Sequence, residues 1–285
     1  MQPPQPPSSK QVAPRPTHTP YPELRWHERL NVLSVTLLLL GFAVLVSLPA
    51  VRGSDRELNY LANARRFLSY FFPPDFSVAG QALGALWETF QIAVMATAFA
   101  AVLSLPLAAM GAQNLAPRPC VWLARLILNG VRTVPSLIWA LIGVAVVGAN
   151  PLAGVIGLTF YSIGYLGKFF SDAFESVDVT VARGLRAIGA DPVQAFQHGV
   201  WPHAKPLVLS HVLWMLEYNL RSASIIGIVG AGGVGTLLHG FQEYYAWEKF
   251  AAVLFFILVM VTALDLLGER VRHRITQRLR PTDLS

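Results

Sequence analysis

The sequence predicts an all-α polytopic membrane protein with about six transmembrane helices, and three observations carry that expectation. Only 13% of its 285 residues are charged and 54% are apolar, whereas an ordinary soluble domain carries about 25% charged residues. The apolar residues also fall in long blocks: 22 uncharged residues separate Arg29 from Arg52, 29 separate Glu88 from Arg118, and 35 separate Arg132 from Lys168. Wound as a helix, even the shortest block is about 33 Å long, enough to cross a hydrocarbon core of about 30 Å. Finally, Lys and Arg are unevenly shared between alternate loops. With the N-terminus inside, the inner segments hold 15 of them and the outer segments 5, which predicts cytoplasmic N- and C-termini.

Each element follows in order. Residues 1–29 open the chain as a Pro-rich tail; eight prolines fall in the first 22 positions among Gln, Ser and Thr. Such a segment has too little surface to bury, so it is expected to be disordered. Residues 30–51 form a first transmembrane helix, too long for the apolar region of a signal peptide. Residues 52–85 form an external segment. Within it, 54–72 mix Leu58, Leu61, Phe67, Leu68, Phe71 and Phe72 with Arg56, Arg65 and Arg66, the composition of a helix lying at the interface. Residues 86–269 form the core, with spans over 86–112, 123–147, 152–171, 206–234 and 248–268. A turn at Gly148-Ala149-Asn150-Pro151 separates the third and fourth. A cytoplasmic connection over 172–205 joins the fourth to the fifth, and 270–285 form a basic tail.

Several function classes are excluded by what is missing. A single cysteine, Cys120, leaves no disulfide framework, and no Cys/His spacing points to a metal. No catalytic residues stand out, and no cofactor is expected. The net charge of +6 is explained by inner-leaflet anchoring to the lipid bilayer and calls for no nucleic acid. An ATP-driven pump in one chain would need GxxxxGK[ST]; the Gly167-Lys168 pair is followed by Phe169 and lacks the upstream glycine. Gly230-Ala231-Gly232-Gly233-Val234-Gly235 fits GxGxxG, but its neighbours are spans and not the strand of a βαβ unit.

The cytoplasmic connection carries the most structured signal. A helix running through Ile188 is broken at Gly189, after which Asp191 stands where an N-cap belongs and Pro192 where a first helical residue belongs. Helix, glycine break and capped short helix predict a rigid knob, with a flat connector helix as the plain alternative. The stretch resembles the EAA loop of ABC-importer permeases: Pro202 follows Gly189 by thirteen residues, with Trp201 in place of Leu. It departs from the pattern where Arg183-Gly184-Leu185 occupy the Glu-Ala-Ala positions.

Four further stretches are similar to the phosphonate ABC-transporter permease family and its phosphite and hypophosphite relatives. They are Phe71-Phe72-Pro73-Pro74-Asp75-Phe76, Trp87-Glu88-Thr89, Arg132-Thr133-Val134-Pro135-Ser136-Leu137-Ile138-Trp139-Ala140-Leu141, and Arg221-Ser222-Ala223 with Gly227 to Gly235. The resemblance covers about residues 70–270. It implies a type I importer core and a permease subunit, without enzymatic activity, of a phosphonate-class importer in a bacterial inner membrane. It further implies a second copy of the chain, separate ABC ATPase subunits and an external solute-binding protein. The ATPase would be met by Arg183, Gly184, Leu185, Gly189, Ala190, Asp191, Pro192 and Pro202.

Within the spans, charges and small residues are the candidates for a translocation path. Glu217 and Arg221 are spaced i,i+4 in the orientation that favours an ion pair. An intramembrane charge pairs or lines a cavity, so Arg221, with Ser222 and Ser224, either holds its span in place or conducts an oxyanion. The backbone of Gly230, Gly232 and Gly233 either packs closely or offers N–H groups to an anion. Arg132 is expected near the inner end of its span, reaching the interface by snorkelling, and Asp265 as a helix-end charge near Arg270 and Arg272. The rivals are a secondary transporter driven by an ion gradient, which wants inverted repeats and paired acids, and an intramembrane enzyme.

Overall fold

The structure, a computed structural model, describes residues 32–51 and 59–277. The Pro-rich tail and the end of the basic tail lie outside them. Among the described residues there are helices and turns and no strand. The chain divides into two units, Met1–Tyr60 and Leu61–Ser285. The first contains α1 (Val32–Ser47), continued by a 3-10 turn over Leu48–Val51. It is apolar on every side, from Leu33 to Val46, so it has no face to turn to water, and hydrocarbon is the solvent it suits.

The second unit opens on α2 (Tyr60–Ser69), which has no buried residue. The aromatic rings of Phe67 and Phe71 meet Trp247, with centroids 5.1 and 5.8 Å apart. A 3-10 turn capped by Asp75 leads into α3 (Ala79–Gly111), 33 residues long. Then follow α4 (Arg118–Thr133), α5 (Ser136–Val147), α6 (Pro151–Glu175), the short α7 (Thr180–Ala187) and α8 (Pro192–Gly199), α9 (Trp201–Ile226), α10 (Val234–Glu243) and α11 (Trp247–Gln277). Among the described residues four helices are long and apolar enough to cross a membrane, and up to six spans result if each of two bent pairs counts as one.

The first of these pairs corrects the expectation of an unbroken third span over 123–147. Here α4 and α5 meet at 86°. The cause is local: Pro135 has no N–H to donate and drives Val134 into extended backbone at φ −87°, ψ 122°. The second pair corrects the fifth span. Helix α9 begins already at Trp201, ends at Ile226, and reaches α10 through a turn that bends the axis by 43°. The connection expected over 172–205 is correspondingly shorter, running only between Glu175 and Trp201.

At the centre, α6 is flanked by α3, α4, α5 and α9. Phe170, Phe174, Leu166 and Leu128 are fully enclosed there, with Met215 of α9. Close approach comes from small residues: a Cβ on Gly157 would lie 2.6 Å from the backbone of Ala140, and one on Gly143 2.7 Å from the carbonyl of Ala153. This is the packing that holds helices together where lipid removes the hydrophobic drive.

A knob, a charged clasp and an aromatic stripe

The knob is built as its residues dictate. Helix α7 ends at Ala187, Gly189 takes φ +99°, and Asp191 then caps α8 by accepting from the N–H groups of Val193 and Gln194, both at 2.8 Å. Gln194 answers by accepting from the Asp191 N–H at 3.2 Å, completing a capping box with Pro192 at the first turn. A left-handed backbone at Gly189 is where a side chain would cost about 1–2 kcal/mol. At the start of α7, the hydroxyl and N–H of Thr180 donate to Asp178 at 2.6 and 2.9 Å and hold its carboxyl below the ordinary carboxylate value. That contribution is present at neutral pH and is lost only as pH falls through the depressed value.

The two short helices lean on each other at Gly199, where an added Cβ would lie 2.7 Å from Ala182. Phe196 docks the pair edge-on to Phe174 at the end of α6, centroids 5.2 Å apart. Ile188 is 83% exposed and Val193 62% exposed, so the knob presents two large apolar side chains that the chain itself does not cover. Arg183, Gly184, Gly189, Asp191 and Pro192 are exposed with them; Leu185 and Ala190 are half-buried, and Pro202 is exposed at the first turn of α9.

The suspected path residues are not brought together. Arg221 turns from Glu217 to Asp265 of α11, at 2.9 and 3.1 Å, while Glu217 receives Arg272 at 2.9 Å. This corrects two expectations, the Glu217–Arg221 pair and Asp265 as a mere helix-end charge. The i,i+4 geometry was available, but the carboxylate of Asp265 on the facing helix sets both oxygens against one guanidinium nitrogen, Nη1, and Glu217 is taken by Arg272. Together the two ion pairs clasp α9 to α11. Gly268 leaves room for it, since a Cβ there would collide with Glu217 Oε1. Ser222 and Ser224 are buried, the latter donating to Leu220 at 3.2 Å.

Gly230, Gly232 and Gly233 form the turn between α9 and α10 with φ +83°, +82° and +73°. The N–H groups of Gly233 and Val234 donate to Glu88 Oε1 and Thr89 Oγ1 of α3, at 3.2 and 2.8 Å. Those two donors are thus occupied by the protein's own oxygens, and the turn serves close packing.

Two features escaped sequence reasoning. Asn219, with no exposed surface, donates to Thr97 of α3 at 2.9 Å and accepts from Ser162 of α6 at 3.0 Å. An amide inside an apolar block was the available signal. The second is a stripe of rings along α6 and α9: Tyr161 stacks on Tyr218 and tilts against Tyr165, while Phe169 stacks on His211. Their i,i+4 recurrence at 161, 165 and 169 could have disclosed one face. Arg132 stands over the Tyr165 ring at 5.5 Å.

Comparison with known proteins gives this architecture a setting. Residues 104–277 match the family described as "Binding-protein-dependent transport system inner membrane component". The chain is 40% identical, over 85% of its length and 88% of the relative's, to the phosphite transport system permease protein PtxC of Stutzerimonas stutzeri. It is 35% identical to the putative phosphite transport system permease protein HtxC of the same organism, over 73% of this chain and 74% of that one. In fold it is similar to a chain of the inward-facing MetNI methionine ABC transporter, with a TM-score of 0.58, 21% identity, and coverage of 68% of this chain and 95% of that one. Helical fold and matched span agree, and the chain belongs to the family of binding-protein-dependent transport system inner membrane components, the permease subunits of ABC importers.

Proposed function

We propose that this chain is the permease of an importer for a phosphorus oxyanion, phosphonate or phosphite in class. In this reading it works as a pair of identical chains, with separate ATPase subunits below and a solute-binding protein outside. Both termini face the cytoplasm, consistent with the 15-to-5 distribution of Lys and Arg. The observation that carries the substrate class is the 40% identity to a phosphite permease across nearly the whole of both chains. The knob supports the partner. Ile188 and Val193 are exposed on a capped, rigid helix pair, and apolar side chains presented this way mark a protein contact.

Mechanistically, an ATPase gripping the knob moves α7 and α8 as one piece, because the capping box and the Gly199–Ala182 contact leave them little freedom. Phe196 passes the displacement to Phe174, at the inner end of α6. Two states of the spans, outward-open and inward-open, are thereby biased by ATP, and the chain's contribution is the difference in free energy between them. Growth on phosphite as sole phosphorus source tests the reading. A strain without its own phosphite permease should grow when given this chain with its ATPase and binding protein, and should fail when the chain is omitted. Growth that needs the ATPase and binding protein but not this chain would refute it.

A further inference from the structure

We infer that Arg132, not Arg221, is the cation that meets the transported oxyanion. The inference rests on the proposed function for the nature of that anion, and on geometry for the residue. Arg132 is expected near the inner end of its span; in the structure its backbone stands against the middle of α6. Its backbone N and Cβ lie against Gly164, each 3.0 Å from where a Cβ on that glycine would be. Gly164 is near the middle of α6, about 20 Å from the Pro151 end and about 17 Å from the Glu175 end by helical rise. The guanidinium stays at that depth, over the Tyr165 ring at 5.5 Å and 3.3 Å from Asn129 Oδ1.

Its charge is balanced differently from those of three other arginines of the bundle. Arg221 has Asp265, Arg272 has Glu217 and Arg125 has Glu175. Among the described residues no carboxylate lies within ion-pair distance of Arg132. A cation at mid-depth is costly in hydrocarbon unless it finds a counter-charge or a water-filled space. A neutral amide and a ring face, both present here, do not supply the missing negative charge.

The surroundings resemble an aqueous lining more than a lipid contact. Asn129 and Thr133 flank Arg132 and are exposed in the single chain. Beside the Tyr165 ring lies Tyr161, whose hydroxyl pairs with that of Tyr218, 2.7 Å apart. Along α4 itself, Arg118, Arg125 and Arg132 recur every seven residues, so they share one face with a drift of about 20° per repeat. The face leads from the start of α4, beside the knob, to mid-depth. The break at Val134-Pro135 ends α4 at that level, which is why the third cation stops halfway across. A guanidinium suits a phosphorus oxyanion particularly well, because its paired N–H groups match two oxygens at once.

The test uses the whole complex, with ATPase and binding protein, in proteoliposomes and in a Cys120→Ser background, with phosphite as the probe. Arg132→Gln should lower uptake about tenfold or more, the loss of one charge-assisted contact, while the binding protein still stimulates ATP hydrolysis. Arg132→Lys should fall between. Arg132→Cys should lose uptake and regain part of it on reaction with aminoethyl methanethiosulfonate, which restores a positive charge, but not with the neutral methyl reagent. Uptake by Arg132→Gln equal to that of the unaltered complex would overturn the inference. So would a thiol in Arg132→Cys that no hydrophilic reagent reaches with or without ATP. Should the unaltered complex carry no phosphite or methylphosphonate, the substrate reading fails, and the labelling alone still decides whether position 132 faces water.

Discussion

Asn219 touches three helices at once: it sits on α9, donates to Thr97 of α3 and accepts from Ser162 of α6. Inside a bilayer such a bond is worth about 0.6 kcal/mol on average and about 1.7 at most, because the unfolded helix also finds partners. Asn219→Ala breaks both bonds and leaves the buried Ser162 hydroxyl without its acceptor, while Thr97 still donates to Ala93, so a loss of about 1–2 kcal/mol is expected. It should appear as a lower melting temperature of the purified permease, with the substrate preference of the transporter unchanged. A melt identical to that of the unaltered chain would show the network to be incidental. Arg221 teaches a related lesson about charges. Its partner Asp265 lies 44 positions further along the chain, beyond the reach of any spacing rule.

At the level of elements, the α9–α11 clasp and the α7–α8 knob make opposite predictions. The clasp is structural, so removing one charge should hurt more than removing both. Arg221→Gln or Asp265→Asn alone should reduce the amount of assembled permease, and the double substitution should restore part of it. If the double variant is the sum of the singles, the pair carries no coupling. In the proposed function the knob is a transmitter. Asp191→Ala removes a cap worth about 1 kcal/mol, and the ratio of phosphite carried to ATP hydrolysed should fall while the spans still assemble. A ratio that stays constant would put the ATPase contact elsewhere.

The knob was legible in the sequence because its cues are local: a glycine, an Asp-Pro pair and an answering Gln194 act within six residues. The long spans were legible because composition alone decides whether a helix prefers lipid. The depth of Arg132 was not. A window over 123–147 reads straight through Val134-Pro135, and only the structure shows the 86° bend that ends α4 beside the middle of α6. The glycine turn was half legible: its small residues marked close packing, but Glu88 and Thr89, which take two of its N–H groups, come from 145 positions away.

For the whole molecule, the account rests on a division of labour. The chain offers a path and a handle, while ATP hydrolysis belongs to a separate subunit in this family. The large apolar side chains left exposed on α3, α4, α5 and α11 are those of a protein whose solvent is lipid and neighbouring subunits. The rival reading, transport driven by an ion gradient, gains little from the charges present, since Glu217 and Asp265 both hold arginines. The most direct measurement counts phosphite taken up and ATP hydrolysed in the same proteoliposomes, with ion gradients collapsed by ionophore. The account predicts that both rates rise together when binding protein is added, and that uptake stops when the ATPase subunits are omitted. Uptake that continues without them and follows an imposed proton or sodium gradient would contradict it.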